Sequence, residues 1–324
     1  MNIPNQSLQS KYKLISELNS SERILVKNPE GLKMKLKSIQ SMGKEQFAIF
    51  SDFDYTLTVN NCDGKNADST FSVLSRSEYV SSQYKKQIKE LFLKYSPLEK
   101  SNSITSEQKK EYMNTWWREA QNLVIQEKLD QTKLKNSIKN STLSFRHGIL
   151  EFINSCYEFS TPLYIVSAGL GSIIKASFEM LGNQLDTEIK NWIKFVCSED
   201  KFDANGILSG FSEQLVTSQN KNEVLKSIPG VNSRTNACVI GDLIVDQEMV
   251  NDLKLTNKFT IGYFNSIGND SSLLEHYMNS FDIVITNEGN LNCISYILRK
   301  LFDSNPSSQG ISHKNKELID ELFA

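Results

Sequence analysis

The chain has 324 residues with 36 Lys and Arg against 38 Asp and Glu, a formal net charge of -2. That balance excludes the strong field by which a nucleic-acid polymer or an anionic membrane is gathered, and it leaves a small molecule as the expected partner. Five widely spaced cysteines, Cys62, Cys156, Cys197, Cys238 and Cys293, form no C-x-x-C pair and read as reduced thiols. The first residues hold no apolar h-region and no apolar run reaches membrane-spanning length, so the expectation is a soluble, cytoplasmic monomer with no membrane partner. The length suits one large α/β core with an inserted or appended module.

Residues up to about Glu30 are polar and mixed. NPEGLKMKLKSIQSMGK then reads as a helix, with Pro29 near its start, apolar residues at helical spacing and Gly43 placed to end it. Phe47 to Phe50 is a short apolar run suited to a buried parallel strand, and it runs straight into DFDYT. After Thr58 the segment VNNCDGKNADSTFSVLSRSE is rich in Asn, Asp, Gly and Ser and predicts an irregular crossing. From about Glu78 to Asn140 the pattern is helical: YKKQIKELFLKY, then SEQKKEYMNTWWREAQNLVIQEKL capped by Thr105 or Ser106, then DQTKLKNSIKN. Alternation resumes with helix HGILEFINSCYEF and strand PLYIVSAG. Further strands are expected at IKFVCS, ACVIGD, KFTIGYF and FDIVIT, with helices near Leu170–Leu181, Asn222–Ser227, Leu243–Asp252 and Asn290–Phe302. The prediction is a doubly wound parallel α/β sheet, with 1–60 and 141–324 as the core and 61–140 as a helical cap inserted after the first strand. Ligands of such sheets bind beyond the carboxyl ends of the strands.

The chemistry concentrates there. Asp52 and Asp54 stand one residue apart at a strand tip, where each ionised carboxylate raises the cost of ionising the other unless a cation sits between them. An oxygen-only site with few protein ligands suits Mg2+, which keeps waters for a substrate phosphate to replace. DFDYT resembles the D-x-D-x-T signature of the haloacid dehalogenase (HAD) superfamily of phosphatases. The resemblance implies that Asp52 attacks phosphorus to form an aspartyl-phosphate. It implies too that Asp54 protonates the leaving oxygen and then activates water, with Thr56 orienting Asp54 through its hydroxyl.

Neighbouring strand tips offer the remaining parts. YIVSAGLG resembles the superfamily's second motif, and its Ser167, Ala168 and Gly169 present a hydroxyl and backbone N–H groups to a phosphate. VIGDLIVD places Asp242 just past a strand and Asp246 four residues on. The resemblance implies a metal site made by the Asp52 carboxylate, the Asp54 carbonyl and Asp242, with Asp246 holding a metal-bound water. Spacing alone leaves Lys201, Lys221 and Lys226 equal as the bridging cation; the N-K-x-x-x-L context, similar to the third motif, decides for Lys221.

The likeness extends to the cytosolic pyrimidine 5'-nucleotidase (5'-nucleotidase III) family through VKNP, DFDYTLT, YSPLE, EYMNTWW, IVSAGLG, GILSGF, IGDLIVD, IGYFN and SFDIVIT. It implies Mg2+-dependent hydrolysis of nucleoside 5'-monophosphates, CMP and UMP first, with 7-methylguanosine monophosphate or transfer to a nucleoside acceptor as alternatives. A non-catalytic nucleotide-binding protein is disfavoured because Asp52, Asp54, Lys221 and Asp242 are all present. Trp116 and Trp117 diverge by about a hundred degrees on their helix, so that one can pack while the other meets a base. Glu99 matches the family's cap glutamate and would accept from an exocyclic amine. Two positions depart from the family: Leu243 stands where a serine is usual, and Phe71 where an early-cap histidine is common.

Overall fold

A computed structural model describes residues 23–324 apart from 63, 102, 266–270 and 305; the stretch of the expected core before residue 23 lies outside them. In chain order, β1 (Ile24–Leu25) and helix α1 (Pro29–Met42) lead to β2 (Phe47–Ser51). α1 starts where Asn28 accepts from Gly31 N at 3.0 Å and Pro29 supplies a preset φ; it ends at Gly43, at φ 82°. Its Leu32, Leu36 and Ile39 are buried, the stripe that helical spacing predicts.

Between β2 and the next strand of the main sheet lie a hairpin, β3 (Asn61–Cys62) and β4 (Lys65–Asn66), and helices α2 (Thr70–Arg76), α3 (Ser82–Lys100), α4 (Ser106–Gln126) and α5 (Gln131–Asn136). The expected irregular crossing therefore contains a helix, α2. Ser69 and Ser72 form its cap, exchanging side-chain and backbone hydrogen bonds. α3 continues through Pro97, past the end the sequence suggested, and Thr105 is the cap of α4 with Gln108 completing a capping box.

The core then alternates through α6 (Ile149–Glu158), β5 (Leu163–Leu170), α7 (Gly171–Glu179), α8 (Thr187–Trp192), β6 (Ile193–Ser198), a hairpin of β7 (Asp200–Phe202) and β8 (Leu208–Phe211), α9 (Lys221–Lys226), β9 (Asn236–Gly241), β10 (Asn257–Phe264), α10 (Ser271–Ser280), β11 (Ile283–Thr286), α11 (Asn292–Phe302) and α12 (His313–Phe323). The helix expected over Leu243–Asp252 is instead a 3-10 turn, Ile244–Glu248, followed by turns. Asp246 causes this, because its side chain turns back to accept from Leu243 N and Asp242 N.

The main sheet has seven strands in the order β1-β11-β10-β9-β2-β5-β6, all parallel except β1, which runs antiparallel along the edge of β11. From β2 the chain moves to β5 and β6 on one side, then returns to β9 on the other. The carboxyl ends of β2 and β9 thus flank the switch point where such sheets open a crevice. Residues alternate between faces. Phe47, Ile49, Ile165 and Ile240 join the core cluster with α1, α6 and α11, whereas Ala48, Phe50, Val166 and Val239 join the one under α9. Among the described residues no helix is long and apolar enough to cross a membrane.

The helical insertion is closed on itself and tied to the β7–β8 hairpin. Buried Asp68 accepts from Thr142 N and Oγ1 at 2.9 Å, joining the insertion's entry to its exit, and Leu208 N of β8 donates to Leu129 O at 2.8 Å.

Candidate active site

Asp52 follows the last residue of β2. Its N–H still pairs with Ile240 O of β9 at 2.9 Å, and the Ser51 hydroxyl donates to its carbonyl at 2.7 Å, so its backbone is held on both sides. The turn that follows puts Tyr55 at φ 62°, a conformation that needs external support in a bulky residue. Arg146 supplies that support. It is only 1 % exposed, and all of its N–H groups are used: Nε donates to Thr56 O at 2.8 Å, Nη2 to Tyr55 O and Asn265 Oδ1 at 2.7 Å, Nη1 to Gly289 O and Glu288. Its guanidinium lies 3.9 Å from the centroid of the Tyr263 ring, a cation–π contact on the same buried group.

Lys221, 5 % exposed at the start of α9, is the cation that reaches Asp52. Its Nζ donates to Asp52 Oδ1 at 2.6 Å and to Asp246 Oδ1 at 2.7 Å. Asp242 lies past β9, and one carboxylate oxygen from each of Asp242, Asp52 and Asp246 falls within 4.8 Å of the others. Asp246 is spent on others: one oxygen takes Lys221, the other takes the N–H groups of Asp242 and Leu243. A Cβ at Gly241 would fall 2.2 Å from Asp246 Cβ, so the glycine of VIGD is what lets Asp246 fold over the strand end.

The hydroxyl expected on Asp54 does not come from Thr56. Thr56 Oγ1 lies 3.4 Å from both Asp52 Oδ2 and Asp242 Oδ1, whereas Thr70 grips Asp54: its N–H donates to Oδ1 at 2.9 Å and its Oγ1 to Oδ2 at 2.6 Å. Ser167 is buried on β5 with Oγ accepting from Gly169 N at 3.1 Å. Ala168 accepts from Trp117 Nε1 at 2.7 Å. The two tryptophan rings meet edge-on, centroids 4.7 Å apart, and each packs on a further aromatic side chain. Trp117 meets Phe71 edge-on, and Trp116 stacks on Tyr95 with centroids 5.8 Å apart at 16°. Glu99 accepts from Ser218 Oγ at 2.6 Å, so the insertion also touches the loop that precedes Lys221. Leu243 contributes its backbone N–H to Asp246, a role that needs no serine hydroxyl. His147 is exposed; its carbonyl accepts from Leu291 N and its Nδ1 lies 3.3 Å from Asn292 Nδ2.

Electrostatically the site is short of positive charge. Burial first, then the neighbouring Asp246, pushes Asp52 up to about 6 against the pull of Lys221; burial and Asp52 push Asp54 up to about 7 against Thr70. Burial, with Asp52 and Asp246 close by, holds Asp242 well above the usual carboxylate range. Burial depresses the Lys221 ammonium, but Asp246 and Asp52 outweigh it and raise it above its ordinary value. One ammonium among carboxylates in this enclosure is a donor set that fits a hard divalent cation.

The seven-stranded, doubly wound sheet, with Asp52 at the tip of β2 and a lysine and further acids converging from neighbouring elements, defines a HAD-like phosphatase. Within that class, the chain belongs to the pyrimidine 5'-nucleotidase (UMPH-1) family, whose model matches residues 55–302. It is 31% identical over 283 residues to the 7-methylguanosine phosphate-specific 5'-nucleotidase A of Xenopus laevis, covering 86% of this chain and 95% of that protein. It is 28% identical to the 7-methylguanosine phosphate-specific 5'-nucleotidase of Homo sapiens, covering 86% of this chain and 92% of that one. In fold it is similar to the crystal structure of cytosolic 5'-nucleotidase IIIB (cN-IIIB) bound to cytidine, with a TM-score of 0.74 at 23% identity over 96% of this chain and 97% of that chain. The chain is accordingly a phosphoric monoester hydrolase, a 5'-nucleotidase of HAD-like fold.

Proposed function

We propose that this enzyme hydrolyses the 5'-monophosphates of 7-methylguanosine and cytidine through an aspartyl-phosphate on Asp52. The observation that carries the reading is Lys221 held between Asp52 and Asp246, 2.6 and 2.7 Å from their oxygens, at the switch point of the sheet. The emphasis on 7-methylguanosine rests on the names of the relatives, and that on cytidine on the ligand of the similar structure. UMP, an expected substrate on sequence, offers no exocyclic amine to Glu99 and is placed behind CMP.

In the first step an Asp52 oxygen attacks phosphorus, the P–O5' bond breaks, and O5' takes the electron pair and the proton of Asp54. In the second, Asp54 takes a proton from water, the water oxygen attacks phosphorus, and the bond to Asp52 breaks to return its carboxylate. Lys221 offsets the approach of one anion to another, and the N–H groups around Ser167, Ala168 and Gly169 hold the phosphate. Asp52, the Asp54 carbonyl and Asp242 are the residues that would hold Mg2+, with Asp246 orienting Lys221 and the backbone beside Asp242. A bound Mg2+ supplies charge neutralisation at the phosphate oxygens. The insertion over 61–140 is proposed as a cap over this site, since Trp117 and Glu99 reach the end of β5 and the loop before Lys221. A cytoplasmic location is supported by relatives named cytosolic.

The test is phosphate release from 7-methylguanosine monophosphate, CMP, UMP, AMP and GMP with Mg2+ or EDTA, using Asp52→Asn as the blank. Mg2+-dependent release from the first two supports the reading; equal release from all five would remove the base preference, and release from none would remove the function.

A further inference from the structure

We propose that Thr70 is a positioning residue for the acid–base step, holding the Asp54 carboxyl group in line with the leaving oxygen and tying its orientation to the helical insertion. This rests on the reading of Asp54 as acid and base given above. Thr70 meets Asp54 with two donors, one to each oxygen, at 2.9 and 2.6 Å. A carboxyl group gripped at both oxygens has its plane fixed, whereas a single contact would leave it free to rotate.

The placement of Thr70 is itself tightly determined. Ser69 and Ser72 lock the backbone around it by reciprocal bonds, Ser69 N donating to Ser72 Oγ at 2.8 Å and Ser72 N to Ser69 Oγ at 3.3 Å. Ser72 Oγ also donates to Asp68 Oδ1 at 2.8 Å, and the other oxygen of Asp68 carries the bond to Thr142. Both ends of the insertion therefore bear on the residue that holds Asp54. On the opposite side Gly169 leaves room: a Cβ there would lie 2.2 Å from Thr70 Oγ1 and 3.2 Å from Asp54 Oδ2. Any side chain at 169 would drive the threonine hydroxyl off the carboxyl group. The end of β5, the acid–base residue and the insertion meet at one hydroxyl.

A role in proton donation depends on the leaving group, and a role in packing does not. The 5'-oxygen of a nucleoside leaves poorly without a proton, whereas p-nitrophenolate leaves without one. The quantity to compare is kcat/KM, which reports steps up to formation of the aspartyl-phosphate and so excludes the later activation of water by the same residue.

The experiment measures kcat/KM for the preferred nucleotide, CMP or 7-methylguanosine monophosphate, and for p-nitrophenyl phosphate, in the wild type, Thr70→Val, Thr70→Ala and Thr70→Ser. Removing the hydroxyl is expected to lower kcat/KM for the nucleotide by about tenfold or more, while p-nitrophenyl phosphate changes by less than about threefold. Thr70→Ser should recover the nucleotide rate to within about threefold of wild type. Equal losses on both esters, no loss on the nucleotide, or a serine variant as poor as valine would each overturn the inference. If the wild type releases phosphate from neither nucleotide, the functional reading fails instead, a result distinct from all three.

Discussion

Raising the pH from 5 to 8 should weaken the metal-free protein. A carboxyl group whose folded pKa is raised contributes stability that is fully present below its unfolded pKa and is lost as the pH climbs through the folded value. Asp54 moves from 3.8 to about 7, chiefly through burial, and Asp52 from 3.8 to about 6 for the same reason. At about 1.4 kcal/mol per pH unit, Asp54 alone removes about 3 kcal/mol between pH 5 and its folded pKa. For a chain of this size that is a fall in Tm of roughly 6 °C, at about 2 °C per kcal/mol. The assay is thermal unfolding followed by circular dichroism in EDTA across this pH range, with Asp54→Asn in parallel. The wild-type curve should slope downward, and the variant's should be flatter. Mg2+ should stabilise more at pH 8 than at pH 5, because it competes with protons for the carboxylates proposed to hold it. A wild-type Tm in EDTA that stays level or rises from pH 5 to 8, or a variant with the same slope, would refute the claim that burial holds these acids protonated.

Asp52→Asn should abolish phosphate release on every substrate, and retained turnover would remove the nucleophile assignment. Arg146→Lys replaces a planar fork with a point charge. It should cost about 3 kcal/mol, read as a lower urea midpoint, because several buried carbonyls lose their donor. Gly241→Ala forces Asp246 away from Lys221 and should lower kcat at least tenfold (an order-of-magnitude expectation for a misplaced site) with KM little changed; an unchanged kcat would show that Asp246 does not order the site. Glu99→Gln should narrow the CMP-over-UMP ratio of kcat/KM by about tenfold, and an unaltered ratio would leave Glu99 with only its bond to Ser218.

Much of this was legible in the chain because local pattern carried it. Strand tips announce themselves when an apolar run ends in an acid, so Asp52, Asp54, Asp242 and Asp246 could be read from DFDYT and VIGDLIVD, and the parallel sheet followed from strands alternating with helices. Lys221 was harder, since three lysines satisfied the spacing and only its context separated them. Thr70, Arg146 and Ser218 carried no signal. Each acts on a partner far along the chain, at separations of 16, 90 and 119 residues for the bonds to Asp54, Thr56 and Glu99, and no periodicity encodes such a meeting. The misplacement of Thr56 has the same origin: a motif suggests which hydroxyl is near, but the turn at Tyr55 decides which carboxylate it faces. The expected helix after Asp242 failed because an aspartate side chain outcompeted the backbone for two N–H groups.

The shortest strand of the main sheet has a consequence for handling the protein. β11 reads IVIT, apolar and largely β-branched, and its outer edge would present a row of unpaired N–H and C=O groups to any other chain. Ile24 and Leu25 occupy that edge in antiparallel register, and Arg23 O accepts from Thr286 N at 3.0 Å. A few residues far from the chemistry thus act as a guard against strand-to-strand self-association. Truncating the chain past Leu25 should leave the cluster around Asp52 in place and yet promote self-association, visible as concentration-dependent light scattering beyond that of the full chain.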